Sequence, residues 1–434
     1  MRHSILGMIL AGGEGTRLSP LTTKRAKPAV PFGGKYRIID FVLSNFITSG
    51  IHSLFVITQF RSQSMTEHII NGWNISSLIR GQFIVPVPAQ MQSAKKSWYS
   101  GTANAIAQNI HLVKDFNPEL LAVFGADHIY KMDISQMTAF HVQKNALATV
   151  AAIPVPVAEA DQFGIIQVDK EGRITGFQEK PKTDVAEIPG RPGWCLASMG
   201  NYIFDSKWIC EALEKDDADP TSKHDFGYNI LPSAVGSGRL FAYNFDDNRI
   251  PGQKTGKPNY WRDVGTMQAF YEANMDLRNV EPNLDLYSPQ WPIHTYHLPL
   301  PPAKFVHNEE VGRDGKPRIG KSINSVVCDG CIVSGSTIIG SILSPEVHVH
   351  SYSTVVDSIL MDGVEIGENC QIRNAIIDKH VVLPRDTRIG YNREEDAARF
   401  HVFDVEGVAG GWLTVIEKNH QRVVSKLLTG SVNV

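Results

Sequence analysis

The sequence is poor in cysteine, has no excess of either charge, and contains no long apolar run. Five cysteines, an odd number spread over 434 residues, do not make a disulfide framework, so a reducing, cytoplasmic setting is expected. The 42 Lys and Arg nearly balance 45 Asp and Glu, for a formal net charge of −3. That balance lacks the basic footprint of a chain that binds a nucleic-acid polymer. The longest apolar stretches fall short of the ~18 residues that span a bilayer, and the N-terminal run 5–10 meets Gly12-Gly13 too soon for a signal h-region with its cleavage site. No membrane is expected as partner. Gly (36) and Pro (24) are near ordinary usage and 20% of residues are charged, which excludes a mainly disordered or fibrous chain. At roughly 150 residues per domain the length gives two or three domains.

From Ile5 to about Leu277 short apolar runs alternate with amphipathic segments, the pattern of an α/β sheet with helices on both faces. Strands are predicted over 5–10, 54–58, 120–125, 148–154 and 199–204, and helices over 40–47, 102–113 and 134–143. A turn at Lys170-Glu171-Gly172 joins 164–168 to 174–177 as an antiparallel hairpin. Between about 280 and 316, Pro282, Pro289, Pro292, Pro299, Pro301 and Pro302 crowd together, and little regular structure is expected. A repeat follows. The aliphatic positions Ile332, Ile338, Leu343, Val349, Val355, Leu360, Ile366, Ile372, Ile377, Leu383 and Ile389 are spaced by fives and sixes, which sum in threes to a period of about 17 residues. One inward aliphatic residue per face and three faces per coil build a left-handed parallel β-helix, with Gly335, Gly340, Gly363, Gly367 and Ser351 suited to its corners. The division expected is a catalytic domain over 1–290, a linker over 291–316 and the β-helix over 317–434.

The sharpest motif follows the first strand: Leu10-Ala11-Gly12-Gly13-Glu14-Gly15-Thr16-Arg17-Leu18. Glycines directly after a strand let the backbone approach a phosphate and aim N–H groups at it. A Walker A loop would end in Gly-Lys-Ser/Thr, and the dinucleotide fingerprint would carry a third glycine where Leu18 stands. Neither template fits. Arg17, Lys24, Arg25 and Lys27 then gather four cations beside the loop, a density that a triphosphate would relieve and that a solvated basic loop would also explain. Asp127, just past the strand 120–125, lies where ligands gather in open α/β sheets, although an isolated Asp is more often a helix cap or a surface charge.

Gly-Gly-x-Gly-Thr-Arg-Leu followed by Lys27-Pro28-Ala29 resembles the signature of the sugar-nucleotide pyrophosphorylases, the nucleotidylyltransferases with a Rossmann-like, GT-A-like catalytic domain. Lys24-Arg25-Ala26-Lys27-Pro28-Ala29-Val30, Asp127-His128-Ile129-Tyr130, Glu179-Lys180-Pro181, His224-Asp225-Phe226-Gly227 and Tyr260-Trp261-Arg262-Asp263-Val264-Gly265-Thr266 are similar to the ADP-glucose-forming branch, and the likeness runs through both domains. It implies that ATP and α-D-glucose 1-phosphate react to ADP-glucose and pyrophosphate, feeding glycogen or another α-glucan. Catalysis is then positioning and charge neutralisation, since the nucleophile is a substrate oxygen. The resemblance implies Arg17 and Lys27 on the triphosphate, Asp127 in catalysis, and Asp127 with Asp263 as carboxylates for Mg²⁺. It assigns Leu10, Ala11, Gly12, Gly13, Gly15, Thr16, Gln90, Gly101 and Thr102 to the nucleotide, and Tyr99, Gly164, Glu179, Lys180, Ser198 and Tyr202 to the sugar phosphate. Metabolite effectors acting through Lys24, Arg25 and Arg37, and a homotetramer, are implied too. Two other readings remain: a pyrophosphorylase using UTP, dTTP, GTP or another sugar phosphate, and a non-catalytic regulatory subunit.

Some positions depart from the family pattern. Ala126 replaces the usual Gly before the metal aspartate, Asn104 stands for Asp, and Tyr228-Asn229 for Lys-Asp. Pro31 replaces a residue that is often basic or aromatic near the effector lysine. Cys328-x-x-Cys331 has no second pair and falls in the repeat, so both are read as structural. The alternation at His348 and His350 puts both rings on one outward face, read as solvated or an interface rather than a metal site.

Overall fold

Nine strands drawn from the first two-thirds of the chain form one sheet. They belong to the first of two compact units in the computed structural model, which describes residues 3–75, 81–89, 98–253, 258–311, 315 and 317–418. Met1–Gly13, Ile39–Trp261 and Ser288–His294 make up this unit; Glu14–Ile38, Arg262–Tyr287 and Thr295–Val434 make up the second.

In the first unit the strands are β1 (Ile5–Ala11), β2 (Ser53–Thr58), β3 (Phe83–Pro88), β4 (Leu120–Gly125), β5 (Ala148–Pro156), β6 (Gly164–Val168), β7 (Ile174–Glu179), β8 (Trp194–Asp205) and β9 (Leu240–Asn244). They lie in the order β7-β6-β8-β4-β1-β2-β3, with β5 also on β8 and β9 on β5. β1 runs parallel to both neighbours, with Gly7 opposite Leu54 and Ile5 opposite Leu120. The run β3-β2-β1 reverses to β4 at this point, which opens a crevice at the carboxyl ends of β1 and β4. β8 is antiparallel to β4, and the hairpin β6–β7 forms as its turn residues predict. Leu6, Met8, Leu121, Val123, Val150 and Phe204 fill the core beneath.

The helices include α1 (Ile38–Thr48), α2 (Gln63–Gly72), α3 (Thr102–Ala107), α4 (Ile110–Phe116), α5 (Ile134–Gln143) and α6 (Ser206–Asp217). The single helix expected over 102–113 is broken between α3 and α4. Asn109 sits at the break and donates its side-chain amide to Ala105 O at 2.8 Å and to the Tyr99 hydroxyl at 3.0 Å. β3 has no counterpart among the predicted strands because Pro86 and Pro88 argue against it; at the sheet edge a residue without N–H is tolerated.

The second unit contains three parallel sheets wound coil on coil. One stacks Lys304–Val311, Ile332–Ser334, His348–Val349, Glu365–Ile366 and Val382–Leu383; the second runs from Lys321–Ile323 to Arg388–Ile389; the third runs from Val326–Val327 to Ala375–Ile377 and is capped by Trp412–Ile416. Together they are the left-handed parallel β-helix that the period implied. Ile338, Val349, Val355, Leu360, Ile366, Ile372 and Ile377 are all fully buried in it. Ile332 is a correction: it faces outward, and Val333 is buried in its place. Ile332 pairs with His348, 16 positions on, whereas His348 pairs with Glu365 after 17; the first coil is one residue short, which turns the neighbouring side chain inward. Lys304–Val311 is a second difference. Proline crowding predicted irregular chain there, yet this strand pairs with Ile332–Ser334, because the prolines stop at Pro302.

Left-handed backbone recurs at the corners. Gly335 (φ +65°) is followed by Tyr352, Asn369 and Asp386, and Gly363 (φ +64°) by His380, each 17 residues on. Gly340 also matches this expectation, whereas Gly367 and Ser351 stay in ordinary conformations. Inside, Ser353 Oγ accepts from Cys370 N at 2.9 Å, and Ser336 Oγ accepts from Ser353 N at 2.9 Å, so buried corner N–H groups are satisfied between coils. Cys331 is buried in this core, with its Sγ 3.1 Å from Ser344 O. Burial pushes the Cys328 thiol up to about 12 and Cys331 up to about 11, as befits structural cysteines.

Candidate active site

In the first unit β1 delivers Leu10 and Ala11 to the crevice, and Gly12 and Gly13 continue from its end. Ala126 N donates to Leu10 O at 3.1 Å, which ties the segment after β4 to β1. The Ala126 methyl is buried, so its departure from the family glycine is absorbed by packing. Asp127 follows; one carboxylate oxygen lies 3.5 Å from His128 Nδ1. The His128 ring leans on Trp261 at 4.8 Å between centroids, and Phe163 packs against the same indole.

Two buried amides that sequence reasoning missed hold this segment in place. Asn45 accepts from Met132 N at 3.0 Å and donates to Tyr130 O at 3.2 Å. Asn201 accepts from Gly125 N at 3.2 Å and donates to the Tyr130 hydroxyl at 3.1 Å. Asn45 stands within the helix expected over 40–47 and Asn201 within the strand expected over 199–204, but nothing in a sequence distinguishes a buried amide cross-brace from an exposed one.

Of the residues that the resemblance assigns to the sugar phosphate, Gly164 and Lys180 lie beside Glu179. A Cβ on Gly164 would come within 2.9 Å of Glu179 Oε2, so the backbone there is as close as glycine permits. Burial raises the Glu179 pKa, Lys180 opposes the rise and Asp225 adds to it. Lys180 follows in left-handed backbone (φ +47°), pinned by its N–H on Phe163 O at 3.0 Å. Its ammonium is 3.8 Å from Glu179 and the side chain is 61% exposed. Ser198 and Tyr202 flank an irregularity in β8, where pairing with β5 skips from Ser198 to Tyr202. The Tyr202 ring is buried against Phe204 and Phe226, and burial raises its pKa.

Gly101 and Thr102 meet the motif 224–227. A Cβ on Gly101 would lie 2.6 Å from Lys223 O, and Thr102 Oγ1 donates to Asp225 at 2.8 Å. Asp225 also accepts from Gly227 N and Tyr228 N. Asn104 donates to Asp217 at 3.4 Å, where a second carboxylate would repel it, which gives the Asn its physical reason. Tyr99 is held by Asn109 as above. Gln90 lies outside the described residues.

The second unit carries the cations. Gly15 (φ +66°) opens a tight turn over Thr16–Leu18, and Thr22 Oγ1 donates to Gly15 O at 2.8 Å. Lys27, only 7% exposed, donates to Asp263 at 3.0 Å. Gly265 leaves room beside them: a Cβ there would be 3.1 Å from an Arg17 nitrogen and 3.0 Å from an Asp263 oxygen. Arg17, Lys27 and Asp263 thus share one place, two cations around one carboxylate. Among the effector candidates, Arg25 is buried, and one guanidinium nitrogen donates to both oxygens of Asp378 at 2.6 Å. Beside it Lys379 pairs with Asp362; burial lowers the Lys379 pKa, Asp362 raises it, and the Arg37 and Arg25 charges lower it further. Lys24 is exposed.

Comparison with known proteins identifies the family. The nucleotidyl transferase family model matches residues 6–280, and a GlmU-like C-terminal hexapeptide model matches residues 301–409. The glucose-1-phosphate adenylyltransferase of Thermus thermophilus is 54% identical over 412 residues, which cover 94% of this chain and 98% of that protein. Those of Anaeromyxobacter sp. and Deinococcus radiodurans are 50% identical over 398 residues (92% and 95% of the two chains) and 47% over 413 (94% and 98%).

Proposed function

We infer from one premise, that the chain belongs to the glucose-1-phosphate adenylyltransferase family, that it joins ATP and α-D-glucose 1-phosphate into ADP-glucose and pyrophosphate. A phosphate oxygen of the sugar attacks the α-phosphorus of ATP, the bond from that phosphorus to the bridging oxygen breaks, and pyrophosphate leaves with the electron pair. The convergence of Arg17 and Lys27 on Asp263 carries this reading. Lys27 is buried and held on Asp263, whereas Arg17 reaches the same carboxylate from the exposed side; one carboxylate does not need both cations, and a leaving pyrophosphate does. Lys180, exposed on a constrained backbone, grips the sugar phosphate as a point charge. Glu179, Gly164, Ser198, Tyr202 and Tyr99 shape the sugar site, and Leu10 to Gly13, Gly15, Thr16, Gly101 and Thr102 the nucleotide site.

Nucleotidyl transferases use a divalent metal. We assign Mg²⁺, held by Asp127 and Asp263. The donor chemistry fits: both are carboxylates, without thiolate ligands, and Asp263 stays reachable at 30% side-chain exposure. When bound, the ion supplies positive charge to the phosphates. Purified protein with Mg²⁺, glucose 1-phosphate and each nucleoside triphosphate in turn, assayed for pyrophosphate, tests the proposal. ATP outrunning UTP, dTTP and GTP is expected.

The product supplies glycogen or a related α-glucan. Metabolite effectors act around Lys24, Arg25 and Arg37, and the partition into catalytic domain, linker and β-helix is kept as a functional division. A homotetramer accords with Ile323 and Ile339, which pair in register and are both exposed on one β-helix face; a monomer by light scattering contradicts it. Among the described residues no helix is long and apolar enough to cross a membrane; the cytoplasmic setting rests on the cysteines, all five of which are unpaired.

A further inference from the structure

The outward face of the β-helix carries a constellation that the activity does not use. His348 and His350 stand two residues apart on and just after one short strand, their rings stacked with centroids 4.0 Å apart. The 17-residue repeat then sets Glu365, on the next coil, directly opposite His348 in register. His350 Nε2 is 2.8 Å from a Glu365 oxygen. The alternation of the two histidines was visible in the sequence and gave no third ligand. The third comes from the period, 17 residues on.

We propose that His348, His350 and Glu365 form a binding site for a borderline divalent transition ion such as Zn²⁺, Co²⁺ or Cu²⁺, clamping two consecutive coils of the β-helix. The three ligand atoms lie within 4.8 Å of one another. A tetrahedral ion at ~2.1 Å from each would set them about 3.4 Å apart, closing the site around the ion in place of the 2.8 Å His350–Glu365 hydrogen bond. That closure needs side-chain rotation only, because the ligands are anchored on paired strands and are partly exposed. Two imidazoles and one carboxylate select this class over Mg²⁺, which takes oxygen ligands. The fourth position is left to water. The site is separate from the carboxylates assigned to Mg²⁺ and has no part in the transfer reaction.

The test uses full-length protein stripped with a chelator and kept in excess Mg²⁺, so that the oxygen-rich catalytic carboxylates are occupied. Titration with Co²⁺ by calorimetry should give one strong equivalent per chain, with the visible absorption of a four-coordinate ion. His348→Ala, His350→Ala and Glu365→Gln should each weaken it at least about tenfold, the cost already known for losing a mere outer-shell partner. The ion should raise the melting temperature of the parent and not of these variants, while pyrophosphate release stays unchanged in all of them. Should a variant fail to fold, Cu²⁺ bound to the parent must show hyperfine coupling to two imidazole nitrogens. Absence of that coupling, binding that survives all three substitutions, or no binding by the parent overturns the proposal.

Discussion

Lys27 donates its ammonium to Asp263 at 3.0 Å, so the cation assigned to the triphosphate rests on the carboxylate assigned to the metal. Each neutralises the other until substrate and ion bring opposite charges of their own. Asp263→Asn keeps the shape and removes the charge. It should lower kcat/KM by roughly 10²- to 10³-fold, as loss of one electrostatic stabiliser does, and raise the Mg²⁺ concentration for half-maximal rate. Pyrophosphate release across a Mg²⁺ titration checks both, and an unchanged metal requirement removes Asp263 from the metal site.

Lys180→Ala should raise the KM for glucose 1-phosphate much more than that for ATP. The side chain is mostly exposed, so the melting temperature should stay where it is. Equal effects on the two substrates would sink the assignment.

Arg25 and Asp378 are both buried, with side chains 5% and 2% exposed. Asp378→Ala strands a guanidinium in the interior and should cost about 3–5 kcal/mol. Replacing both, Arg25→Met with Asp378→Leu, should recover most of that loss, because an apolar pair needs no partner. Denaturant unfolding of the two single variants and the double variant measures it. Additive losses would mean that the pair is not coupled.

His141 is buried and hydrogen-bonded to Thr149 at 2.8 Å; burial lowers its pKa to about 4. The unfolded chain takes up this proton near pH 6.5 and the folded chain only near 4. Stability should therefore be flat above about pH 6.5 and fall between 6.5 and 4, by up to roughly 3 kcal/mol from this group. His141→Gln should flatten that part of the stability curve relative to the parent, and a curve of unchanged slope would contradict the assignment.

The strands β1, β4 and β5 and the β-helix period were legible because burial on both faces leaves continuous apolar runs, and because a coil repeats its inward residue. β3 was not, since its prolines speak against a strand until an edge position excuses them. Ile332 was misread for a related reason: a one-residue shortening of the first coil flips a side chain without altering the composition. At the site, the motifs named Lys27, Lys180 and Asp127 but gave no sign that Arg25 would be buried on Asp378. That contact joins residues 353 positions apart, and no local pattern encodes it. Asn45 and Asn201 escaped for the same reason, their partners being backbone groups that only the fold brings near.

The central claim is transfer of the adenylyl group of ATP to glucose 1-phosphate, and initial rates of pyrophosphate release with ATP, UTP, dTTP and GTP under one set of conditions test it most directly. The residues predict a Mg²⁺-dependent rate that is fastest with ATP and lost on Asp127→Asn. A faster rate with UTP would contradict the substrate, and no release with any of the four would contradict catalysis itself.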